Sequence, residues 1–110
     1  MNYRYKIEIE LDDEKIISDN IYVLESIYEN IRKMFADEGI NEIVDNSHTL
    51  TFTSDGKEKN DWGKMWANLT MLFEEKWFRL YAIKMLWFDN EYGVVNREDV
   101  LKGWLEDNWL

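Results

Sequence analysis

The twelve residues from Trp77 to Phe88 constrain the fold of this sequence most strongly, because only Arg79 and Lys84 among them are charged. An apolar run of this length is typical of an element that is buried on both sides. Its aromatic residues favour a β-strand. We therefore predict that this run is the last strand of a sheet and has two apolar faces, with Tyr81, Ile83, Met85 and Trp87 on one and Leu80, Ala82, Leu86 and Phe88 on the other.

A second interpretation of the same region stays open. Residues 61–88 also come close to helical spacing, so one long helix competes with a helix that is followed by a strand. In the second arrangement the helix covers residues 61–75 and buries one apolar stripe. That stripe consists of Trp62, Met65, Trp66, Leu69, Leu72 and Phe73. Trp62, Trp66 and Trp87 are accordingly predicted to lie in the core.

The beginning of the chain predicts a strand followed by a helix. Residues 3–11 alternate between apolar and polar side chains, which is typical of a strand with one face in water. Residues 12–15 are predicted to form a polar turn. Residues 19–37 carry apolar side chains at intervals of three and four, which predicts an amphipathic helix that Ser18 or Asp19 caps.

The remaining elements complete an α+β fold. The runs 40–44 and 49–54 flank a short polar segment and predict a β-hairpin. Residues 89–95 break the last strand, and Asn96 with Asp99 is predicted to start a third helix. The resulting order, β-α-β-β-α-β-α, is that of a ferredoxin-like split βαβ sandwich with an additional C-terminal helix. We expect that helix to cover the second apolar face of the last strand, and residues 1–110 to form a single domain.

Residues 87–97 (WFDNEYGVVNR) resemble a segment of the glyceraldehyde-3-phosphate dehydrogenases that leads from a strand into a helix in that family. The resemblance covers eleven residues and implies a strand, a turn and a helix in this chain. The glycine motif that binds the dinucleotide in that family is absent from the sequence, and there is no cysteine to act as the family's nucleophile. We therefore expect neither the activity nor the cofactor of that family.

The charge of the chain disfavours several classes of function. The net charge is −10, whereas binding to nucleic acid requires clustered Lys and Arg side chains. The acidity is concentrated in residues 1–56, which carry 5 Lys and Arg against 13 Asp and Glu. The sequence also has no apolar run of about 18 residues and no signal peptide, so we expect a cytoplasmic protein without a membrane segment.

The sequence contains no pattern that indicates a catalytic or metal-binding site. It has no cysteine and none of the common phosphate-binding or hydrolase motifs. Its one histidine, His48, lies in the predicted hairpin turn and is interpreted as a solvated side chain. Adjacent carboxylates such as Asp12 and Asp13 point apart on a strand or a helix and do not share a proton. We expect no enzyme, no metal and no cofactor.

The acidity of the first half favours a protein that binds a basic partner. Concentrated negative charge steers a basic protein to the surface and raises its association rate. We expect an inhibitor of a basic or nucleic-acid-handling enzyme, of the immunity, antitoxin, anti-CRISPR or anti-restriction type, whose carboxylates stand in for phosphates as in a DNA mimic. The residues predicted to form this acidic surface are Glu8, Glu10, Asp12, Asp13, Glu14, Glu25, Glu29, Asp37 and Glu38.

Other functions stay open beside the inhibitor. If the C-terminal helix is displaced, an apolar partner surface is predicted from Leu80, Leu86, Phe88, Trp104 and Trp109. A small-molecule-binding or dimeric regulatory domain is the alternative, because the surplus aromatic residues can line a pocket or a homodimer interface. An enzyme that uses carboxylates would require Asp or Glu residues from different elements to converge in a cleft.

Overall fold

A computed structural model describes residues 3–44 and 48–107 of the chain, which form one five-stranded sheet and five helices. The predicted α+β class is confirmed. In chain order the elements are β1 (Tyr5–Leu11), α1 (Asp13–Asp19), α2 (Leu24–Asp37), β2 (Asn41–Ile43), β3 (Thr49–Ser54), α3 (Asp61–Glu74), α4 (Lys76–Tyr81), β4 (Ala82–Glu91), β5 (Val94–Asp99) and α5 (Val100–Glu106).

The strand β1 lies in the middle of the sheet. The strands follow the order β2-β3-β1-β4-β5, and each is antiparallel to its neighbours. The alternation that predicts β1 is confirmed, because Ile7 and Ile9 are fully buried while the even positions of the strand stay partly exposed. Phe52 of β3 and Trp87 of β4 pair with Ile7 from its two sides. A row of large apolar side chains therefore crosses three strands.

The strands β2 and β3 form the predicted hairpin. Ile43 of β2 pairs with Thr51 of β3, and Leu50 and Phe52 point into the core as the alternation predicts. Residues 45–47 of the predicted turn lie outside the described part of the chain.

All five helices pack on the same face of the sheet. Each contributes at least one buried side chain to the core that contains Ile7 and Ile9. A ring contact joins the two layers, since Phe35 of α2 stacks on Phe52 of β3 with ring centroids 4.0 Å apart. Within residues 3–44 and 48–107 the opposite face of the sheet carries no helix, and we call it the open face.

The helix predicted over residues 19–37 is confirmed only from Leu24 to Asp37, because Asp19 is the last residue of a separate helix, α1, and residues 20–23 are not helical. The segment predicted as a polar turn is the start of α1, where the Asp12 carboxylate accepts a hydrogen bond from the backbone N–H of Lys15 at 3.1 Å. Asn20 then adopts a left-handed conformation with φ 53° and ends α1. Neither Ser18 nor Asp19 caps the start of a helix, because the N-cap of α1 is Asp12 and that of α2 is Val23.

Neither interpretation of residues 61–88 is confirmed in full. The helix α3 ends at Glu74, and an extended Glu75 separates it from a second short helix, α4. The Arg79 side chain donates a hydrogen bond to the Phe73 carbonyl across this break. The strand begins only at Ala82, so the predicted last strand is correct for its second half alone.

The two predicted faces of the last strand are also changed. The pairing with β1 shifts by one residue, since Leu11 pairs with Ala82 while Glu10 pairs with Lys84. This bulge leaves Ile83 unpaired, and its side chain is exposed. Met85 and Trp87 lie in the core, as predicted for that face.

The end of the chain differs most from the prediction. The segment predicted as a break turns back through Tyr92 and Gly93 into a fifth strand, so the strand–turn–helix implied by the dehydrogenase resemblance is wrong. The ferredoxin-like topology is not confirmed, because this strand changes the strand order. The helix α5 packs on the core face, where Val100 and Leu101 are buried. It does not cover the second face of β4 as predicted.

Three tryptophans pack together on the core face. The Trp66 ring lies 5.0 Å from the Trp87 ring and 6.3 Å from the Trp104 ring, measured between centroids. Trp104 also meets Phe73 edge to face at 5.0 Å. The prediction that Trp62 lies in the core is wrong, because 52% of its surface is exposed.

We expect the Leu69→Ala substitution to lower the free energy of unfolding by about 2–5 kcal/mol, because it leaves a cavity at a fully buried position of α3. Met71→Ala is the matched control on the same helix, since 53% of Met71 is exposed. Its effect should stay within about 0.5 kcal/mol. Urea unfolding measures both values, and similar losses for the two variants would contradict the packing described for α3.

We expect the Tyr92→Asn substitution to raise the free energy of unfolding by about 1 kcal/mol. Tyr92 and Gly93 both have positive φ, 53° and 79°, which is the signature of a type I′ turn, and Asn tolerates that conformation better than Tyr. The side chain is 96% exposed, so the change removes no packing. Tyr92→Phe keeps the strained backbone and should leave stability unchanged. A loss of stability in Tyr92→Asn would refute this account of the turn.

Candidate functional site

The structure brings acidic side chains from three elements around one cavity of about 290 Å³ between α2 and the β2–β3 hairpin. Asp13 comes from the first turn of α1, Glu25 and Glu29 from α2, and Glu42 from β2. We call this cavity the acidic pocket. Its lining also includes Leu24, Tyr28, Arg32, Ile43, Val44, His48, Thr49 and Leu50.

The sheet register explains why these elements meet. Thr49 at the start of β3 pairs with Glu10 near the end of β1, and α1 begins two residues after Leu11 ends β1. The first turn of α1 is therefore close to the hairpin, and α2 packs beside both.

Asp13 and Tyr28 connect α1 to α2. The Tyr28 hydroxyl donates a hydrogen bond of 2.6 Å to the Asp13 carboxylate. Partial burial raises the pKa of the Tyr28 hydroxyl above its ordinary value of 10.0, and the hydrogen bond to the charged carboxylate raises it further. Tyr28 therefore stays protonated and serves as a fixed hydrogen-bond donor at the base of the pocket.

Arg32 and Glu42 connect α2 to β2. The Arg32 Nε lies 3.1 and 3.0 Å from the two carboxylate oxygens of Glu42, and the guanidinium carbon lies 5.7 Å from the centre of the Tyr28 ring. This ion pair compensates the charge of Glu42. Among the described residues, neither Glu25 nor Glu29 has an ion pair or a hydrogen bond from its side chain, so both carboxylates remain available.

His48 lies at the mouth of the acidic pocket. Its side chain is 88% exposed, and its Nδ1 is 3.7 Å from an Asp13 carboxylate oxygen. That distance is longer than a normal hydrogen bond. In the described ranges 3–44 and 48–107, no three His, Asp or Glu side chains are arranged to hold a metal ion.

The predicted acidic surface is divided into separate groups. Asp13, Glu25 and Glu29 line the acidic pocket. Asp12 caps α1, and Glu14 is exposed in its first turn. At the other end of α2, Asp37 pairs with Lys33 at 3.1 Å and Glu38 is exposed.

Glu8 and Glu10 lie on the open face and are partly neutralised there. The Lys84 Nζ is 3.7 Å from a Glu8 oxygen and 3.9 Å from a Glu10 oxygen. Lys6 approaches Glu8 at 3.3 Å. These two carboxylates therefore belong to a mixed cross-strand charge network.

The residues of the predicted apolar surface do not share a face. Leu80 is exposed in α4, Leu86 is buried on the open face, and Trp104 packs on the opposite, core face. Phe88 is half-buried beneath Lys6, whose Nζ lies 4.3 Å from the ring centre. Trp109 lies outside the described residues.

Exposed apolar side chains instead accompany the acidic pocket. Ile43 and Val44 line it and are exposed, and the exposed Val23 precedes Leu24 at the start of α2. Interfaces between proteins commonly combine such apolar contacts with a polar rim. None of the helices in the described part of the chain has the length and hydrophobicity to cross a membrane.

We expect Tyr28→Phe to lower the free energy of unfolding at neutral pH by about 0.5–1.5 kcal/mol, because the hydrogen bond to Asp13 is lost. In the wild type, the unfolded chain loses the Tyr28 proton near pH 10 while the folded chain retains it. The stability linked to this group is complete below pH 10 and falls as the pH rises above it.

Tyr28→Phe should therefore show a shallower loss of stability above pH 10, measured by urea unfolding across the alkaline range. Tyr22→Phe is the control, because Tyr22 makes no side-chain hydrogen bond within the described residues. An unchanged alkaline slope in Tyr28→Phe would contradict the raised pKa of the Tyr28 hydroxyl.

No family model matches the sequence, and no curated protein or solved structure matches it either.

Proposed function

We propose that this chain is a protein-binding module, not an enzyme, that binds and blocks a basic partner in the cytoplasm. The observation that supports this most directly is the acidic pocket, where Glu25 and Glu29 have no ion pair or hydrogen bond from their side chains among residues 3–44 and 48–107, and where Asp13 lines the same cavity. Uncompensated carboxylates around a cavity attract a cation from outside the chain. The partner class is a basic, nucleic-acid-handling enzyme such as a nuclease.

The pocket suits the side chain of an arginine or a lysine. Such side chains place an aliphatic stem on apolar surface and keep the charged head beside polar groups. In the acidic pocket the stem would lie on Leu24, Ile43 and Val44, and the head would face Glu25 and Glu29. Arginine fits best, because its planar guanidinium can bind carboxylates through two parallel hydrogen bonds.

The charge of the whole chain supports an inhibitory role. A net charge of −10 repels nucleic acid and attracts proteins that bind it. Carboxylates that occupy the phosphate-binding residues of a nuclease would block its substrate. This is the mode of action expected of an immunity, antitoxin, anti-CRISPR or anti-restriction protein.

A second candidate function is the binding of a small organic cation. The volume of about 290 Å³ is close to the lower end of ligand-binding cavities, about 300 Å³. A regulatory domain with an aromatic pocket is favoured less than a cation-binding site. The aromatic rings that would line such a pocket are used in the core, where Trp66 packs against Trp87 and Trp104.

The test measures the binding of a short arginine-rich peptide and of the same peptide with citrulline in place of arginine, a nearly isosteric neutral side chain. We expect the double substitution Glu25→Gln with Glu29→Gln to lower the affinity for the arginine peptide about tenfold or more, because charge-assisted hydrogen bonds are lost. The citrulline peptide should bind weakly to both proteins. Isothermal titration calorimetry at moderate salt gives the dissociation constants.

The matched control is Asp37→Asn with Glu38→Gln, which removes the same charge at the far end of α2. It should change the affinity for the peptide much less than the pocket variant does. Equal losses in the two double variants would show that only the general field of the protein attracts the peptide. A small cation such as arginine amide that binds as tightly as the peptide would favour the second candidate.

A further inference from the structure

The strand β5 leaves one edge of the sheet open. It runs for six residues, all of them exposed, and in the described part of the chain only β4 pairs with it. The opposite edge is different, because β2 has only three residues. A long open edge is a template for pairing with another strand.

The turn fixes which backbone groups of β5 face outward. In a two-residue hairpin the residues that flank the turn, Glu91 and Val94, exchange hydrogen bonds, and the pairs alternate from there. Val95, Arg97 and Asp99 therefore direct their N–H and C=O groups away from β4. The backbone N–H of Asn90, opposite Val95, agrees with this, since it donates to the Arg4 carbonyl on β1 at 2.8 Å.

The edge also lacks two of the features that commonly prevent pairing, a proline and a break in register. There is no proline or glycine in β5, and its register with β4 is continuous from Val94 to Asp99. Two of its residues, Val94 and Val95, are exposed β-branched side chains that favour a strand. The charged residues are Arg97, Glu98 and Asp99, so both signs are present in one short segment.

We propose that β5 pairs antiparallel with β5 of a second copy of this chain, with Asn96 opposite Asn96 at the two-fold axis. In this register Val95 lies opposite Arg97 of the second copy, and Val94 lies opposite Glu98. Each exposed valine is covered by the aliphatic stem of a longer side chain. The outward groups of Val95 and Arg97 form the hydrogen bonds that join the two copies.

Like-charge repulsion and the length of the overlap select this register over its neighbours. Moving the second strand by two residues toward the turn places Val95 opposite Val95 and pairs only residues 94–96 of each copy. Moving the second strand by two residues toward α5 places Arg97 opposite Arg97. Moving it by two more residues places Glu98 opposite Glu98. Like charges that lie directly opposite each other destabilise a sheet. The last of these shifts also brings in Val100, which is already helical and cannot pair. The proposed register opposes no like charges.

The dimer would be a continuous sheet of ten strands with the two acidic pockets at its outer ends. The pocket lies beside β2 and β3, at the edge of the sheet opposite to β5. Pairing through β5 therefore leaves both pockets accessible. The net charge of −10 on each copy opposes association, so added salt should strengthen the dimer by screening this repulsion.

The test uses the fact that the chain contains no cysteine. In a non-hydrogen-bonded antiparallel pair, opposite Cα atoms are about 4.5 Å apart, within the range for a disulfide. Asn96→Cys should therefore form a covalent dimer under mild oxidation. Glu98→Cys is the control, because its two copies would be about 13 Å apart along the strand. Preferential cross-linking of Glu98→Cys would overturn the register.

Proline variants test the edge itself. Arg97→Pro removes an outward N–H and no bond to β4, so it should keep the melting temperature while the mass in light scattering falls from twice 13.4 kDa to 13.4 kDa. Asn96→Pro is the contrast, because its N–H bonds to β4 and its loss should lower the melting temperature.

Two results would overturn the proposal. One is a monomeric wild type at the highest soluble concentration and raised salt, and the other is an Arg97→Pro variant that stays dimeric. If Arg97→Pro fails to fold, the cysteine pair decides the question alone. Glu25→Gln with Glu29→Gln should leave the dimer intact, so failure of the proposed peptide binding is distinguishable from failure of the dimer.

Discussion

The pairing of β1 on both of its sides is the constraint on which the rest of the structure depends. It joins residues that are distant in the sequence, since β3 and β4 contact the same strand from opposite sides. Ile7 and Ile9 belong to one buried core to which all five helices contribute side chains. The same register places the start of β3 next to the start of α1, so the acidic pocket is a consequence of how β1 is paired.

Much of the sheet could be predicted from the sequence because its signal is local. The alternation in residues 3–11 and the hairpin of β2 and β3 depend on neighbouring residues. The helix breaks were missed because the amphipathic pattern continues through both of them, although α1 ends at the left-handed Asn20 and an extended Glu75 separates α3 from α4. The strand β5 was missed because it is exposed and polar, so no buried alternation marks it.

The candidate site could be predicted in part for a similar reason. Net charge in the sequence identifies carboxylates such as Glu25 and Glu29, but not which of them an internal cation neutralises. The hydrogen bond from Tyr28 to Asp13 joins residues 15 apart through a helix, α1, that the sequence does not predict. The sequence therefore places Tyr28 only in an apolar stripe. It gives no sign that Arg32 and Glu42 are more than ordinary surface residues.

The open face of the sheet shows how the two sides of β1 divide their roles. The odd positions of β1, such as Ile7 and Ile9, face the core. The even positions, Lys6, Glu8 and Glu10, lie on the open face, where they contact Lys84 and Phe88. No helix in the described residues depends on the second set. The even positions are therefore free to diverge in evolution, or to be redesigned, without disturbing the packing that defines the fold, and this face is where new specificity is easiest to acquire.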